Sequence, residues 1–500
     1  MTRNSSFQAA AKNTSLLSAG LFLGRFLAFF IFRRLANIEG PAGIGVWGVA
    51  VELTAIFIIA ANFGLGSLVT REVIKEPARI SSLFWSSLRI RLVAGTIGYA
   101  FLVGFVFLSG YDDFTRWAVL VMALGVFLEA SAMACDSLLQ AEERFQVQTL
   151  SQITSALVYF GLGILWLNRG GGLEEVIWAN VISRGVRLVL VAASVAPSLI
   201  RESGTDAPAP IGSTGLVRMA WPIFLSSTLG VIAFKIDTVM VMQFLGEEGA
   251  GIYTAGRRPL DLLVMIPTLF AVAIFPTLQR QHGSSAHDLS ALRNWASRAL
   301  LYLYLAVLPI TLFCLVSAEM LVQLLTGGGS FAEAVAVLRW AVLGLPLMVF
   351  MNMGNRLLLV VGQERKFVRI SLMVLLVIVG LNLFLIPTMG AVGAALSLVI
   401  GLLTGCVQYQ RDLLRADLAP PLGRGFAAGA TAQVGAWAMT VLILGNLRPD
   451  WGLEWTSVSF CGLVPSAVTW GLAGLFYFLL LILFRVVGPA DLDEWRGRPR

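Results

Sequence analysis

Histidine is nearly missing from this chain. There are two in 500 residues, His282 and His287, and both lie in a polar loop with no cysteine beside them. That excludes a histidine general base inside the apolar segments and argues against a metal site. The four cysteines, Cys135, Cys314, Cys406 and Cys461, lie in or at the edge of apolar runs, where they read as small packing residues, not disulfide partners. Charge is scarce too: 13% of residues are charged against 57% hydrophobic, proportions foreign to a soluble domain or a disordered chain. No Gly-x-x-x-x-Gly-Lys-Ser/Thr loop occurs, so no ATPase motif is present and no cofactor is expected. The outer loops are too short for a glycosyl-transfer site, and Glu39 is the sole acid of the first.

What fills the chain instead is apolar sequence in runs of membrane-spanning length. Spans are expected near 15–33, 44–68, 84–108, 117–138, 148–167, 176–200, 219–245, 252–278, 298–325, 335–361, 368–387, 391–410, 425–445 and 459–484. In lipid only helices or closed barrels satisfy the backbone, and runs this continuous lack a barrel's alternation. The expected fold class is therefore an all-α polytopic membrane protein with about 14 transmembrane helices. The run from Leu16 leads into Phe32-Arg33-Arg34 with no small-residue cleavage site, so it reads as a retained first span.

Orientation follows from the cations. About 21 Lys and Arg fall on the side of both termini and about five on the other, which predicts a cytoplasmic location for both ends and an even number of spans. The net charge of +7 reports this topology and does not argue for nucleic-acid binding. The longest polar interruption, Arg201 to Thr214, reads as a linker between two lobes. The expected organisation is a first lobe over 1–204, a linker over 205–218, a second lobe over 219–410, and two further spans with a tail over 411–500. Two short echoes support duplication: EGPAGI at 39–44 with EEGAGI at 247–252, and Glu143-Arg144-Phe145 with Arg365-Lys366-Phe367, at offsets of 208 and 222. Two pseudo-symmetric six-helix lobes with a site between them are a common transporter plan.

Several charges sit deep inside the apolar runs: Arg25, Arg184, Arg187, Lys235, Arg257 and Arg258 against Glu52, Asp237 and Asp261. A charge at mid-bilayer costs roughly 2.5–3.5 kcal/mol on insertion scales, so these groups must face protein or water. Arg184 and Arg187, three residues apart, share a helix face. Two readings fit them: separate bridges to acids such as Glu129 or Asp136, or an anion site. Lys235 and Asp237, two apart, point to opposite sides and cannot share a partner. Arg25 and Glu52 are placed to pair across a helix hairpin, and Asp261 can neutralise one of Arg257 and Arg258. The set has a cationic excess, which favours an anionic ligand. Prolines 222, 259, 267, 276, 309 and 346 crowd the seventh to tenth spans, where each is expected to bend or break its helix.

The stretch KIDTVMVMQFLGEEGAGI from Lys235 to Ile252, its continuation YTAGRRPLDLLVMIP to Pro267, GQERKF at 362–367 and LNLFLIPTMGAVGAALS at 381–397 resemble bacterial polysaccharide and O-antigen flippases. These belong to the multidrug/oligosaccharidyl-lipid/polysaccharide exporter superfamily, and the resemblance covers nearly the whole chain. It implies two six-helix lobes in a V, alternating access, and an undecaprenyl-diphosphate-linked oligosaccharide as substrate. It also implies the inner membrane, possible polysaccharide assembly partners, and no enzyme activity. Asp237, Asp261 and Glu52 are the acids it makes available for ion coupling. A lipid II flippase and a multidrug exporter of the same superfamily are the alternatives, and a membrane glycan polymerase is disfavoured by the short outer loops.

Overall fold

A computed structural model describes residues 2–201, 213–268, 270, 290–416 and 418. Among these the chain is helical throughout, with no strand. The helices are α1 (Thr2–Asn62), α2 (Leu65–Lys75), α3 (Ile80–Leu108), α4 (Asp113–Ala141), α5 (Phe145–Asn168), α6 (Leu173–Arg201), α7 (Ser213–Leu263), α8 (Ser290–Val316), α9 (Ala318–Thr326), α10 (Ala334–Val342), α11 (Gly344–Val360), α12 (Glu364–Met389) and α13 (Ala391–Arg415). Among the described residues ten segments are long and apolar enough to cross a membrane, and two of them, Leu23–Lys75 and Ser227–Thr268, each take in two of the expected spans. The last two expected spans, Cys461 and both histidines lie outside the described residues.

Each double span turns at a glycine. Gly40 has φ 65 and ψ −163, and Gly246 has φ 70 and ψ −164. That backbone region is open to glycine and almost closed to side chains. Pro41 follows Gly40 at the first position of the resumed helix, where its missing donor costs nothing. Glu247 and Glu248 follow Gly246 and favour the positive end of the resumed helix.

The repeat is visible in this backbone, but in a different register from the letters. Gly40 and Gly246 are 206 residues apart, not 208. A Cβ on Gly45 would overlap the carbonyl oxygen of Glu247, and one on Gly251 would overlap that of Pro41, the same contact at the same spacing. The turn before α5 recurs before α12 at a spacing of 219, not 222. Arg144 N donates to Leu139 O at 2.8 Å and Gln363 N to Leu358 O at 2.9 Å. Val147 N bonds Arg144 O, and Lys366 N bonds Gln363 O, each bond displaced by the same step. The left-handed Glu143, φ 58, matches Gly362, φ 70. The letter matches follow side chains at helix starts, while the backbone repeat follows the turns.

Two of the five described prolines of that set follow a break, and Pro222 and Pro259 instead sit inside the helical run of α7 with no break at either. The helix loosens at Val264, three residues before Pro267, and breaks at Leu343, three before Pro346. A proline lacks the donor for the carbonyl one turn back and crowds it. Pro309 is accommodated inside α8, and Pro276 lies outside the described residues.

The chain forms two compact units. Among the described residues, one lies within Met1–Arg258, Leu324–Val337 and Phe367–Gly401, and the other within Pro259–Gln323, Leu338–Lys366 and Leu402–Arg500. In the first, a core of Leu65, Leu68, Val69, Leu83, Leu138, Val191 and Leu216 joins α2, α3, α4, α6 and α7. Small residues let its backbones approach, as at Gly45 and Gly251, which is how helices associate in lipid without a hydrophobic drive. In the second unit Tyr409 is fully buried, and Gly354 leaves room for its ring: a Cβ there would lie 2.9 Å from Cδ1. Phe101, Leu108 and Phe384 point outward, as lipid-facing residues do.

Candidate functional site

Inside the first unit, α1, α2, α4, α5 and α6 enclose a cavity of about 510 Å³. Its wall is polar at membrane depth. Asn62, Glu129, Asp136, Gln148, Gln152, Tyr159, Asn180, Arg184 and Arg187 all line it. A polar group facing hydrocarbon costs several kcal/mol (about 2–7), so the helices turn these residues to a shared interior. The volume is that of a small-molecule or headgroup site.

Arg187 is buried and forms ion pairs with Glu129 and Asp136 of α4 at once. The spacing of those acids, seven residues or two turns, places both on one face of α4 opposite α6. Arg184 does not join this triad. Its Nε donates to Asn180 Oδ1 at 2.9 Å, one turn back on α6. Its Nη1 is buried with no hydrogen-bond partner among the described residues. Gly125 of α4 makes room for it: a Cβ there would lie 2.9 Å from Arg184 Cδ and 3.3 Å from Nε. The cavity therefore holds two arginines and two acids, so the cationic excess counted along the sequence is balanced here. Glu129 and Asp136 supply the difference.

The other intramembrane charges distribute as follows. Lys235 Nζ bridges Glu52 Oε2 at 2.6 Å, linking α7 to the second half of α1. Asp237 is fully buried and accepts from the Arg257 guanidinium, the Tyr253 hydroxyl and, at 2.9 Å, the Thr238 amide. Arg257 also donates to the Phe234 carbonyl. Lys235 and Asp237 thus take separate partners, as their two-residue spacing requires. Arg258 lies over two rings, 4.8 Å from the centroid of Trp47 and 5.5 Å from that of Phe32. A guanidinium over an indole face is attracted by the ring quadrupole. Arg25 is exposed, next to Gly24 of the cavity wall, and Asp261 is half-buried in the second unit. The nine charges do not converge on one point; Arg184 and Arg187 are the two that the cavity takes.

The chain matches the family described as polysaccharide biosynthesis protein over residues 10–282, which is more than half its length, and the MatE family over residues 222–388. The chain belongs to the polysaccharide biosynthesis protein family. It is 23% identical to the "Probable low-salt glycan biosynthesis flippase Agl15" of Haloferax volcanii, over 81% of this chain and 83% of that one. It is 24% identical to the "Succinoglycan biosynthesis transport protein ExoT" of Rhizobium meliloti, over 64% and 62%. Its fold is similar to that of a lipid II flippase, MurJ, in an inward closed conformation, with a TM-score of 0.73 at 16% identity, covering 94% of this chain and 99% of that one. An inward-facing multidrug transporter of the MATE family gives 0.67 at 17% identity, over 79% and 94%.

In this polysaccharide biosynthesis protein the matched region, 10–282, takes in every residue of the cavity wall. One buried cation next to that wall was not singled out by sequence. Arg91 of α3 is fully buried; its Nε and Nη2 donate to Asn62 Oδ1 at 3.2 and 3.1 Å. Its other bonds reach Ser137 Oγ at 3.2 Å and Ser87 Oγ at 3.3 Å. It locks α3 to the end of α1 and to α4. The criterion that selects Arg25, a cation inside an expected span, selects Arg91 as well.

Beyond the hydrophobic segments, Asp112 caps α4, accepting from the amides of Thr115 at 3.0 Å and Phe114 at 3.2 Å. Burial pushes its carboxyl up, but the bonds from Thr115, Glu247 and Phe114 together outweigh burial and hold it below the ordinary 3.8. At the same end Thr115 donates to Glu247 Oε1 at 2.7 Å, and Leu173 N donates to Glu39 Oε1 at 2.8 Å, tying the two turns to α4 and α6. Glu39, the acid of the first outer loop, is thereby a helix cap.

Proposed function

We propose that this protein moves an undecaprenyl-diphosphate-linked oligosaccharide from the inner to the outer leaflet of the cytoplasmic membrane by alternating access, for assembly of a surface polysaccharide. The observation that carries this reading is Arg184. Its guanidinium faces a polar, membrane-embedded cavity with one nitrogen unpartnered, in a chain of the polysaccharide biosynthesis protein family. A diphosphate supplies acceptor oxygens for that nitrogen, and a planar guanidinium suits phosphate geometry. Arg25 and Arg258 lie outside the wall, and any part they take in headgroup binding is secondary to that of Arg184. The relatives named for glycan flipping and succinoglycan transport support the substrate class.

Arg187 in this reading is a positioning residue, held by two carboxylates and holding α6 on α4. The acids we assign to ion coupling are Glu129 and Asp136, which pair with Arg187 and line the cavity; Glu52 and Asp237 pair with Lys235 and Arg257 away from its wall. The full chain then has fourteen spans, with lobes over 1–204 and 219–410, a cytoplasmic linker over 205–218, and both termini in the cytoplasm.

Reconstituted vesicles carrying a fluorescent undecaprenyl-diphosphate glycan test it. The wild-type protein is expected to make the inner-leaflet label accessible to an external quencher, and Arg184→Ala to slow this while keeping its fold. Flipping of phospholipid with no selectivity for the diphosphate glycan would refute the substrate assignment.

A further inference from the structure

The short helix α2 carries a second feature that the cavity does not absorb. After Phe63 and Gly64, both with positive φ, the chain starts a new helix of 11 residues. At 1.5 Å per residue it is roughly 16 Å long, too short to cross a bilayer alone. One face, Leu65, Leu68, Val69 and Val73, is buried in the core. Ser67, Thr70, Arg71, Ile74 and Lys75 recur at steps of three and one, which puts them on the other face. With Gln140 at the end of α4 they enclose a second space of about 360 Å³.

This face is built from fixed and free donors. The Thr70 hydroxyl is tied to the Gly66 carbonyl at 3.1 Å and to the Ser137 carbonyl at 2.9 Å, which fastens α2 to α4. Arg71 Nε and Lys75 Nζ share a single carboxylate, Glu72, at 3.2 and 3.0 Å, and both side chains are more than half exposed. Two cations on one acid leave a net single positive charge. Ile74, 61% exposed, stands between them as an apolar contact.

We propose that this face of α2 binds the headgroup of an anionic phospholipid, a singly charged phosphodiester such as that of phosphatidylglycerol. The charge matches one to one, where a diphosphate would exceed it. Arg71 and Lys75 contact the phosphate, Ser67 adds a hydroxyl donor, and Ile74 lies against the glycerol and first acyl carbons. The pocket is distinct from the Arg184 cavity but borders it, because Gln140 lines both and Gly66 and Ser67 line one each. The bound lipid therefore sits at the rim of the cavity, and the proposal holds whether or not the substrate is a glycan.

The test uses the full-length protein in detergent, titrated with short-chain phosphatidylglycerol, phosphatidylcholine or inorganic phosphate and read by native mass spectrometry. Phosphatidylglycerol is expected to bind more tightly than the other two. A surface cation contributes on the order of five-fold in affinity for an anionic headgroup, so Arg71→Gln or Lys75→Gln should each weaken binding by about that factor. Glu72→Gln should strengthen it, because it releases both cations. Three results would overturn the proposal: equal binding of phosphatidylcholine, displacement by equimolar inorganic phosphate, or an Arg71/Lys75 double variant with unchanged affinity. A Glu72→Gln variant that binds more weakly would do the same, by showing that the trio serves only to hold α2 in shape.

Discussion

Gly45 and Glu247 meet backbone against backbone: a side chain on Gly45 would occupy the place of the Glu247 carbonyl oxygen, and Gly251 stands in the same relation to Pro41. One residue type thus makes one contact twice, at the repeat spacing of 206. Adding a methyl at either glycine forces the two resumed helices apart. Gly45→Ala and Gly251→Ala are each expected to destabilise the fold by about 1–3 kcal/mol, the usual cost of overpacking. Thermal melts in detergent check this, and a variant as stable as the wild type would show that the helices separate freely.

The turns that set up this contact make a separate prediction. Gly40 and Gly246 hold backbone angles that a Cβ strains, although open space surrounds both. Gly40→Ala and Gly246→Ala should therefore cost about 1–3 kcal/mol through the backbone alone. A measured loss confined to one of the two would contradict their equivalence.

The Lys235–Glu52 bridge discriminates a structural acid from a coupling acid. Removing one partner of a buried pair leaves an uncompensated charge, at roughly 3–5 kcal/mol. Glu52→Gln and Lys235→Met are each expected to lower the melting temperature sharply, and the double variant to recover much of it. If Glu52→Gln melts normally and instead abolishes transport, Glu52 is a coupling residue and the bridge reading fails.

Asp112 gives the pH dependence. Its folded carboxyl titrates below the ordinary 3.8, so its contribution is fully present above that value and is lost as pH falls through the lower folded value. Asp112→Ala should cost about 0.5–2 kcal/mol at neutral pH through loss of the cap. Asp112→Asn should keep most of that cap and flatten the stability profile below about pH 4. Melting curves from pH 3 to 7 on the three proteins decide it.

Much of this architecture was legible in the letters. Hydropathy located the helices because every backbone group in lipid must bond internally, and proline spacing located the breaks at Val264 and Leu343. The two-residue spacing of Lys235 and Asp237 foretold separate partners. Partner choice across helices was not legible. Glu129 and Asp136 were legible as candidate partners of the α6 arginines; that Arg187 alone takes both while Arg184 takes neither was not. Gly125 looks like a packing glycine until the Arg184 side chain is found beside it. Arg258 sits beside an acid-bearing helix turn in sequence, yet its ligands are the rings of Phe32 and Trp47. The repeat register was misread because short letter matches follow helix starts, while backbone angles follow the turn glycines.

The central claim is that Arg184 binds the charged headgroup of the transported lipid, and its most direct test is glycan flipping in vesicles by wild type, Arg184→Ala, Arg184→Lys and Gly125→Val. Losing a charge-assisted hydrogen bond of about 1.5–3 kcal/mol predicts a rate or affinity loss of roughly 10–100-fold for Arg184→Ala. Lysine should rescue partly, since it restores charge without the planar fork. Gly125→Val should reproduce the alanine defect with Arg184 still present, because the valine takes the space of its side chain. Wild-type flipping by both Arg184→Ala and Gly125→Val, at normal stability, would contradict the account.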